Sequence, residues 1–495
     1  MQKIGFDNAK YLEMQSQKIS ERIAMFGDKL YLEFGGKLFD DFHASRVLPG
    51  FEPDSKIKML YQIKDKVEIV IAINANDIEK NKYRSDLGIT YDSDVLRLID
   101  IFRDKGFYVG SVAITRFSGQ PSAVSFEKRL KSMGIKVYRH YPIEGYPSDV
   151  DYIVSDDGFG KNDYIETERP LVVITAPGPG SGKMATCLSQ LYHEYKRGVK
   201  AGYAKFETFP IWNLPLNHPV NAAYEAATAD LNDVNMIDPF HLDAYGKMAV
   251  NYNRDVEIFP VLSAMLTKIM GESPYKSPTD MGVNMAGNCI IDDEACREAS
   301  KQGIIRRYFA TLIDIKKGRA EKDVIEKIDI LMQKLHIEIN DRKVVQYALD
   351  KEAATGAPAC ALELPDGRIV TGKTGNLLGA SASVLLNALK VLGNVDDGID
   401  VIAPTVIEPI QKLKVEHMGS QNPRLHTDEV LLSLAVSAVT NPLAKVVLSH
   451  LDELKNAQLH STVILSHADE KTFKKLGVMV TCEPKRQNKS LFNAN

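Results

Sequence analysis

A chain of 495 residues is too long to fold around a single core, so we expect two to three domains. Its hydrophobic content of 44% and charged content of 25% are those of an ordinary globular protein. The 61 basic and 65 acidic residues nearly balance, which argues against nucleic acid and against an anionic membrane surface as partners.

The five cysteines are widely spaced and include no Cys-x-x-Cys pair. Neither a zinc site nor a disulfide framework is indicated, and a reducing compartment is the better fit. The segment from Met1 to Gln17 is polar, and no apolar run reaches the ~20 residues that a membrane-spanning helix needs. We therefore predict a cytoplasmic protein with no membrane partner and no metal site.

The first third of the chain alternates between patterns typical of strands and patterns typical of helices. The predicted elements are a hairpin over Leu30–Leu38, strands over Val67–Ile73, Val109–Thr115, Lys136–Tyr141, Val150–Ser155 and Val172–Thr175, and helices from Asp92 to Gly106 and from Ser122 to Gly134. This alternation predicts an N-terminal α/β domain over residues 1–218, with a doubly wound, mostly parallel sheet of Rossmann-like or P-loop-like type.

The pattern changes after Trp212, where proline-rich loops lead into helical segments such as the amphipathic Lys322–Leu335. We predict a helical domain or insertion over residues 219–350. Alternation returns after Pro358 and predicts a smaller C-terminal α/β domain over residues 351–495. Its predicted elements are a hairpin turn at Pro365–Gly367, a helix over Leu378–Leu392, and strands over Ile399–Ala403, Ser461–Ser466 and Val478–Cys482.

The most informative segment runs from Val172 to Lys183, where an apolar strand pattern gives way to a loop with three glycines, a serine and a lysine. A helix pattern opens directly after it. A strand, a glycine-rich turn and a helix N-terminus together make an anion site, because backbone amides can approach a phosphate and the helix dipole favours negative charge. We predict that this turn binds a phosphate group through Gly178, Gly180, Ser181, Gly182 and Lys183.

The nucleotide-binding pattern consists of a glycine, four variable residues, Gly-Lys, and then Ser or Thr. This chain departs from that pattern at two positions. Pro177 takes the place of the first glycine, and Met184 that of the hydroxyl residue that holds Mg²⁺. The segment Pro179–Lys183 nevertheless resembles the Pro-Gly-Ser-Gly-Lys core of adenylate-kinase-type loops. We expect a nucleotide or phosphate as the ligand, with magnesium doubtful; a tight turn without a ligand is the alternative.

Two other glycine patterns compete with this interpretation. Gly367–Thr374 satisfies the whole nucleotide-binding pattern, but its variable positions are typical of a strand that leaves a hairpin, so we predict no triphosphate site there. The glycines 178, 180 and 182 form GxGxG where a dinucleotide site requires GxGxxG. The acidic Glu207 also lies 29 residues past Gly178, against roughly 20 in dinucleotide sites.

Further candidates lie where predicted strands end, because ligands bind beyond the carboxyl ends of parallel strands. Arg116 could hold a second phosphate or a carboxylate, with an ordinary surface arginine as the alternative. Asp238 is a candidate acid at a strand end, with helix capping as the alternative. The candidate catalytic residues are thus Lys183, Arg116 and Asp238. Other polar candidates are Lys37, His43, Arg46, Asn74, Asn76, Asp156 and Asp157, and the polar loop Ser277–Asn288 could wrap a substrate or connect two helices.

Three stretches carry a resemblance to a known family: Thr175–Thr186, Ser277–Asn288 and Val370–Ser381. On these, the chain resembles over essentially its whole length a bacterial family of proteins of about this length and of unknown function. The resemblance implies a cytoplasmic, multidomain α/β protein. It supplies no established substrate or catalytic residue.

The sequence predicts a phosphate- or nucleotide-binding enzyme that acts on a phosphorylated small molecule, with phosphotransferase-like or ligase-like chemistry. One alternative is a non-catalytic, anion-binding regulatory or scaffold protein. A second is a dinucleotide-binding oxidoreductase. A homo-oligomer is expected because oligomers are common among soluble proteins.

Overall fold

The structure is a computed structural model that describes residues 3–27, 29–36, 38–39, 41–84 and 87–487. The chain divides into two units. The N-terminal unit comprises Ile4–Glu225 and Asn232–Ala299, and the C-terminal unit comprises Ala226–Leu231 and the chain from Ser300 onward. The division into three domains at residues 218 and 350 stays a prediction.

The strands, in chain order, are β1 Leu30–Phe34, β2 Val67–Asn74, β3 Tyr83–Arg84, β4 Ile89–Thr90, β5 Tyr108–Thr115, β6 Lys136–Arg139, β7 Leu171–Thr175, β8 Gly202–Phe206, β9 Asn235–Ile237, β10 Val250–Tyr252, β11 Gly282–Val283, β12 Ala359–Glu363, β13 Ile369–Lys373, β14 Gln458–Ser461 and β15 Met479–Cys482.

The helices are α1 Asn8–Met25, α2 Phe42–Val47, α3 Ser55–Gln62, α4 Ala75–Glu79, α5 Tyr91–Asp104, α6 Pro121–Ser132, α7 Val150–Ile153, α8 Lys183–Lys196, α9 Pro219–Ala227, α10 Pro239–Tyr245, α11 Asn253–Met270, α12 Pro278–Met281, α13 Asp293–Lys316, α14 Lys322–Lys334, α15 Val344–Thr355, α16 Ala380–Leu392, α17 Pro404–Glu416, α18 Thr427–Ser437, α19 Pro442–Ser449 and α20 His467–Lys475. No helix within the described ranges is both long and apolar enough to cross a membrane.

The core of the N-terminal unit is a parallel sheet with the strand order β11-β8-β1-β7-β2-β5-β6. Every residue of β2 and β7 is buried, which is why both strands are rich in β-branched residues and show no alternation of apolar and polar residues. The helix α8 packs on β1, β7 and β8, and α5 packs on β2 and β5. The prediction of an α/β protein with a doubly wound parallel sheet is confirmed.

The strands β7 and β2 are neighbours whose onward connections diverge. From β2 the chain passes through α5 to β5, and from β7 it passes through α8 to β8, on the opposite side. Parallel crossovers are right-handed, so two crossovers in opposite directions place their helices on opposite faces of the sheet. A crevice opens between such strands at their carboxyl ends, where ligands of open α/β sheets bind.

Two predicted elements of the N-terminal third are wrong. Leu30–Phe34 is not the first strand of a hairpin, because it pairs in parallel with both β7 and β8 and is followed by two glycines; Lys37 lies outside the described residues. Val150–Ser155 is not a strand, because the carboxylate of Asp149 accepts from the Tyr152 amide and caps the short helix α7. Asp156 and Asp157 therefore do not lie at a strand end.

The polar loop Ser277–Asn288 forms the edge of the sheet. Ser277 caps α12, and the next two residues form β11 beside β8. The side-chain amide of Asn284 then donates to the carbonyls of Thr208 and Pro210 at 3.0 and 2.9 Å. The capped connection that the sequence allowed is present, with a sheet strand that the sequence did not predict.

The C-terminal unit contains a smaller sheet with the strand order β13-β12-β14-β15. Strands β12 and β13 form an antiparallel hairpin, as the turn at Pro365–Gly367 predicts, and β15 lies parallel to β14. The predicted helix over Leu378–Leu392 is present as α16. The predicted strand over Ile399–Ala403 is wrong, and the one over Ser461–Ser466 lies earlier, at Gln458–Ser461.

Candidate functional site

The glycine-rich turn connects β7 to α8 at the crevice beside β2. Gly182 precedes the first helical residue, Lys183, and has a φ of +86°, in the left-handed region that favours glycine. A Cβ on Gly182 would also lie 3.0 to 3.1 Å from the side chain of Thr115. A Cβ on Gly178 would collide with the hydroxyl of Tyr91. Close packing therefore requires glycine at both 178 and 182, and at 182 the backbone conformation requires it as well.

Side chains from the neighbouring strands hold the turn by its carbonyl groups. The amide of Asn74, at the end of β2, donates to the Gly180 carbonyl at 3.3 Å. The hydroxyl of Thr115, at the end of β5, donates to the Ser181 carbonyl at 2.8 Å. The Ser181 hydroxyl donates to the Gly178 carbonyl at 2.8 Å. Three carbonyls of the turn are thus engaged with the protein.

Three amides of the same turn are not engaged. Within the described ranges, the N–H groups of Gly180, Gly182 and Lys183 make no hydrogen bond to a protein acceptor, whereas Pro179 and Gly180 form a turn that directs the amide of Ser181 towards the Gly178 carbonyl. In α8, the first amide with a protein partner is that of Thr186, which donates to the Gly182 carbonyl at 2.9 Å. Gly180 is exposed, and Gly182 and Lys183 are partly exposed, so a ligand can approach these amides. Amides at the start of a helix have no partner within the helix, and capping groups, water or a ligand satisfy them.

Two cations lie at this edge of the sheet. Lys183 is half-buried at the start of α8, and Arg116 is exposed at the end of β5. No ion pair involves either side chain among the residues that the structure describes. Arg116 has a φ of +51°, which is uncommon for a residue other than glycine, and its carbonyl accepts from the Gln120 amide at 3.0 Å. Such backbone strain occurs at functional sites.

Asp238 lies elsewhere in the unit and caps α10. Its Oδ1 accepts from the His241 amide at 3.0 Å, and its Oδ2 accepts from the hydroxyl and the amide of Thr279 at 2.6 and 3.2 Å. The side chain is completely buried. These contacts are those of a structural cap, and a catalytic role for Asp238 stays a prediction.

A charged cluster that the sequence did not single out lies two strands away from the turn. The ammonium group of Lys205, in β8, contacts Oε1 of Glu207 and Oδ2 of Asp255, each at 2.6 Å. Glu33, in β1, accepts from the Tyr203 hydroxyl at 2.8 Å. Of these residues, only Glu207 was a sequence candidate, and only for a dinucleotide site. The alternation of charged and apolar residues at the end of β8 is the signal that could have found Lys205.

Burial shifts the proton affinities in this cluster. Burial raises the pKa of Glu207 to about 7, although the Lys205 ammonium opposes the shift. Burial works to lower the pKa of Lys205, but Asp255 and Glu207 more than compensate and hold it well above its usual value. Burial also raises the pKa of the Cys187 thiol. The charge of Glu33 raises this pKa further, and the charge of Lys183 lowers it. The charges of Glu33 and Lys183 therefore both act on the Cys187 thiol.

The other candidate residues from the sequence either make ordinary structural contacts or lie outside the residues that the structure describes. Lys37 is outside the described residues. The ring of His43 packs edge-on against Phe209 and Tyr224, and the guanidinium of Arg46 donates to the Phe42 carbonyl at 2.7 Å. A surface depression of about 740 Å³ between α7 and α11 includes Asp151 and Lys268 but none of the residues of the glycine-rich turn.

Comparison with known proteins gives a family without an assigned activity. Residues 4–336 match the family described as domain of unknown function DUF1846, N-terminal, and residues 340–492 match its C-terminal counterpart. A UPF0371 protein of Corynebacterium diphtheriae is 60% identical over 490 residues, which is 99% of both chains. A UPF0371 protein of Streptococcus sanguinis is 58% identical over 492 residues, covering 99% of this chain and 100% of that one.

Proposed function

The chain belongs to the DUF1846 family, and we propose that it binds a phosphorylated small molecule at the turn between β7 and α8. We further propose that it is an enzyme acting on that molecule, with phosphotransferase-like or ligase-like chemistry. The phosphate would accept hydrogen bonds from the backbone amides of the turn. Lys183 and Arg116 would neutralise its charge.

The observation that carries this proposal is the set of unpaired, at least partly exposed amides of Gly180, Gly182 and Lys183, in a turn whose carbonyls at Gly178, Gly180 and Ser181 accept from protein donors. Asn74 and Thr115 fix the carbonyls of Gly180 and Ser181, and so they fix the peptide planes whose N–H groups point the other way. A phosphate at this position would also interact favourably with the dipole of α8, a helix of 14 residues. Preorganised donors of this kind bind an oxyanion without rearrangement.

The first turn of α8 favours a ligand held without magnesium. Met184 stands where nucleotide-binding loops place the hydroxyl ligand of Mg²⁺. The hydroxyl of Thr186, two residues later, donates to the Gly182 carbonyl at 3.0 Å and is completely buried. A phosphate or diphosphate group therefore suits the turn better than a magnesium-bound triphosphate.

The strand order argues against the dinucleotide alternative. In the dinucleotide fold, the strand before the glycine turn pairs with the strand that carries the acidic residue. Here β1 lies between β7 and β8, so the turn and Glu207 are separated by a strand. We therefore favour a phosphate ligand that extends across the end of β1.

Calorimetric titration with inorganic phosphate, pyrophosphate, AMP and ATP, each with and without Mg²⁺, tests the proposal. We expect binding that does not require Mg²⁺ and that the substitution Lys183→Ala weakens about ten-fold, because a charge-assisted hydrogen bond is lost. Lys196→Ala is the matched control, since Lys196 ends the same helix and contacts Asp156 at 3.1 Å.

Equal affinity in the wild type and in Lys183→Ala, or no binding of any of the four probes, would refute phosphate binding at this turn. Turnover of a bound probe supports the enzyme. Binding without turnover of any phosphorylated compound favours the regulatory or scaffold role instead.

A further inference from the structure

The hydroxyl of Tyr252 is a buried polar group without a hydrogen-bond partner among the described residues. Tyr252 ends β10 and is only 2% exposed. Burial raises the pKa of this hydroxyl well above its usual value, and Tyr224, Glu207, Asp233 and Asp255 add to the shift. Among the described residues the hydroxyl has no hydrogen-bond partner, and the charges of Glu207 and Asp255 both act on it.

The two carboxylates retain capacity to accept hydrogen bonds. Each uses one oxygen on the ammonium group of Lys205, at 2.6 Å, and Oδ1 of Asp255 lies 3.9 Å from Nε of Arg254. The side chains of Glu207 and Asp255 are 17% and 12% exposed, so both can be reached from the surface. An ionised carboxylate has about four acceptor positions, and most of those in this cluster accept no hydrogen bond from the residues that the structure describes.

The unsatisfied groups define which chemical group fits between them. Tyr252 requires an acceptor for its proton, while Glu207 and Asp255 require donors. An alcohol hydroxyl donates and accepts at once, whereas an ammonium group only donates and an ionised phosphate only accepts. The carboxylates of Glu207 and Asp255, with Glu33 nearby, outnumber the cations Lys205 and Arg254, which also disfavours a second anion at this end.

The position of the cluster relative to the phosphate turn gives the size of the ligand. The turn follows β7, Glu207 follows β8, and only β1 lies between them. Neighbouring strands are ~4.8 Å apart, so the two groups are separated by about 10 Å. After β1 the chain continues with Gly35 and Gly36, which carry no side chain; a Cβ on Gly35 would lie 3.5 Å from Cγ of Glu207, and one on Gly36 would lie 3.2 Å from Nζ of Lys56.

We propose that the ligand is a phosphate ester of a polyhydroxylated carbon skeleton, of the sugar phosphate or nucleoside phosphate class. Its hydroxyl groups donate to Glu207 and Asp255, and one of them accepts from Tyr252. The proposal rests on phosphate binding at the turn after β7 and names the ligand class of that same site. One end of the site carries amides and cations for the phosphate, and the other carries acceptors for neutral hydroxyls.

Calorimetry with three probes tests the proposal: ribose 5-phosphate, n-pentyl phosphate and inorganic phosphate. Ribose 5-phosphate and n-pentyl phosphate have the same number of carbons and the same charge but differ in their hydroxyls. We expect the wild type to bind ribose 5-phosphate about ten-fold or more tightly than n-pentyl phosphate, since hydrogen bonds to charged groups are the strong ones.

The substitutions Glu207→Gln and Tyr252→Phe should each reduce this preference while leaving the affinity for inorganic phosphate unchanged. Asp255→Asn is the second variant if Glu207→Gln does not fold. Asp156→Asn is the matched control, since Asp156 also contacts a lysine and a tyrosine, Lys196 and Tyr192, but at the far end of α8. It should leave the preference intact.

A pH series gives a readout that a structural role would not produce. Glu207 has a pKa of about 7 and is surrounded by Lys205, Asp255, Glu33, Tyr224, Tyr252 and Arg254. The preference for ribose 5-phosphate should be larger at pH 8 than at pH 6, because protonation removes the charge that strengthens the accepted hydrogen bond. Both esters carry the same phosphate group, so the titration of that group cancels in the ratio of their two affinities.

Equal affinity for the two esters, or an unchanged preference in both Glu207→Gln and Tyr252→Phe, would overturn the ligand class while leaving phosphate binding in place. If no probe binds, including inorganic phosphate, the proposed function fails and this inference fails with it.

Discussion

The hydroxyl of Thr115 donates to the carbonyl of Ser181 at 2.8 Å, across 66 residues of chain. This bond joins the end of β5 to the glycine-rich turn, although β2 lies between β5 and β7 in the sheet. The same hydroxyl lies 3.4 Å from the Ile73 carbonyl in β2. One side chain therefore ties together three strands at the edge where the proposed phosphate site lies.

Replacing Thr115 with Val should loosen the turn. The substitution keeps the shape of a side chain that is buried, but leaves the Ser181 carbonyl without its donor, at a cost of about 1–3 kcal/mol in the free energy of unfolding. Urea denaturation measures that cost, and titration with inorganic phosphate should show weaker binding. Thr115→Ser retains the hydroxyl and should retain most of both properties. Unchanged stability in Thr115→Val would show that this bond does not hold the turn.

The substitution Gly182→Ala should destabilise the protein for two separate reasons. The left-handed φ of +86° costs a non-glycine residue about 1–2 kcal/mol, and the added Cβ would be crowded against Thr115 at 3.0 to 3.1 Å. Gly198, just after the other end of α8, has a φ of +74° with no atom within 4 Å of an added Cβ. Gly198→Ala therefore isolates the backbone cost in the same urea experiment. Equal losses in the two variants would show that contact with Thr115 is unimportant.

The parts of the fold that the sequence predicts are those with local signals. The run Val67–Ile73 is β-branched except at Glu68 and Ala72, and such a run is typical of a strand buried on both faces. The turn after β7 is marked by glycines that have positive φ at positions 180 and 182. The hairpin at Pro365–Gly367 is marked by turn residues between two strand patterns.

The parts that the sequence does not predict depend on distant partners. Strand β11 has only two residues and exists because Gly282 and Val283 pair with β8. Leu30–Phe34 reads as half of a hairpin, since nothing local shows that β7 and β8 will pair with it. Lys205 and Asp255 are 50 residues apart, so their contact cannot be recognised from spacing. The orphaned hydroxyl of Tyr252 is visible only once its surroundings are known.

The ion pair of His426 and Asp469 should make the stability of the C-terminal unit depend on pH. The two side chains are 3.1 Å apart. The hydrogen bond with Asp469 raises the pKa of His426 despite its partial burial. Burial tends to raise the pKa of Asp469, but His426 and Ser466 outweigh it and lower that pKa.

The pH dependence of the stability follows from the pKa shifts of His426 and Asp469. The contribution of His426 is fully present below its unfolded pKa of about 6.5 and is lost as the pH rises through the higher, folded value. The contribution of Asp469 is present above its unfolded pKa of about 3.9 and is lost as the pH falls through the lower, folded value. Stability from the pair is therefore greatest between about pH 4 and 6.5.

Urea denaturation at pH 5.5 and pH 8 tests this for the wild type and His426→Gln. We expect the wild type to exceed the variant by on the order of 1 kcal/mol at pH 5.5 and by less at pH 8. A constant difference at the two pH values would show that the charge on His426 does not contribute.

Arg342 should be the most sensitive single position in the smaller sheet, because its guanidinium is only 1% exposed and joins two parallel strands. Its Nη2 donates to the carbonyls of Leu459 in β14 and Met479 in β15, at 3.0 and 2.7 Å. Its Nε donates to the Thr481 hydroxyl at 2.9 Å, and its Nη1 donates to the Gln458 side chain at 2.6 Å. Burial lowers the pKa of this guanidinium to about 10, which still leaves it charged at neutral pH.

The substitution Arg342→Lys keeps the charge but cannot reproduce this set of donors, since an ammonium group lacks the planar fork. At least one strand carbonyl would be left buried without a donor, and we expect a loss of about 3 kcal/mol in the free energy of unfolding of the C-terminal unit, measured by urea denaturation. Arg368→Lys is the matched control, because Arg368 is half-exposed and pairs with Asp366 at 2.6 Å at the hairpin turn. That change should have little effect, since surface ion pairs contribute little. Similar losses in the two variants would mean that the charge of Arg342, rather than its geometry, stabilises the sheet.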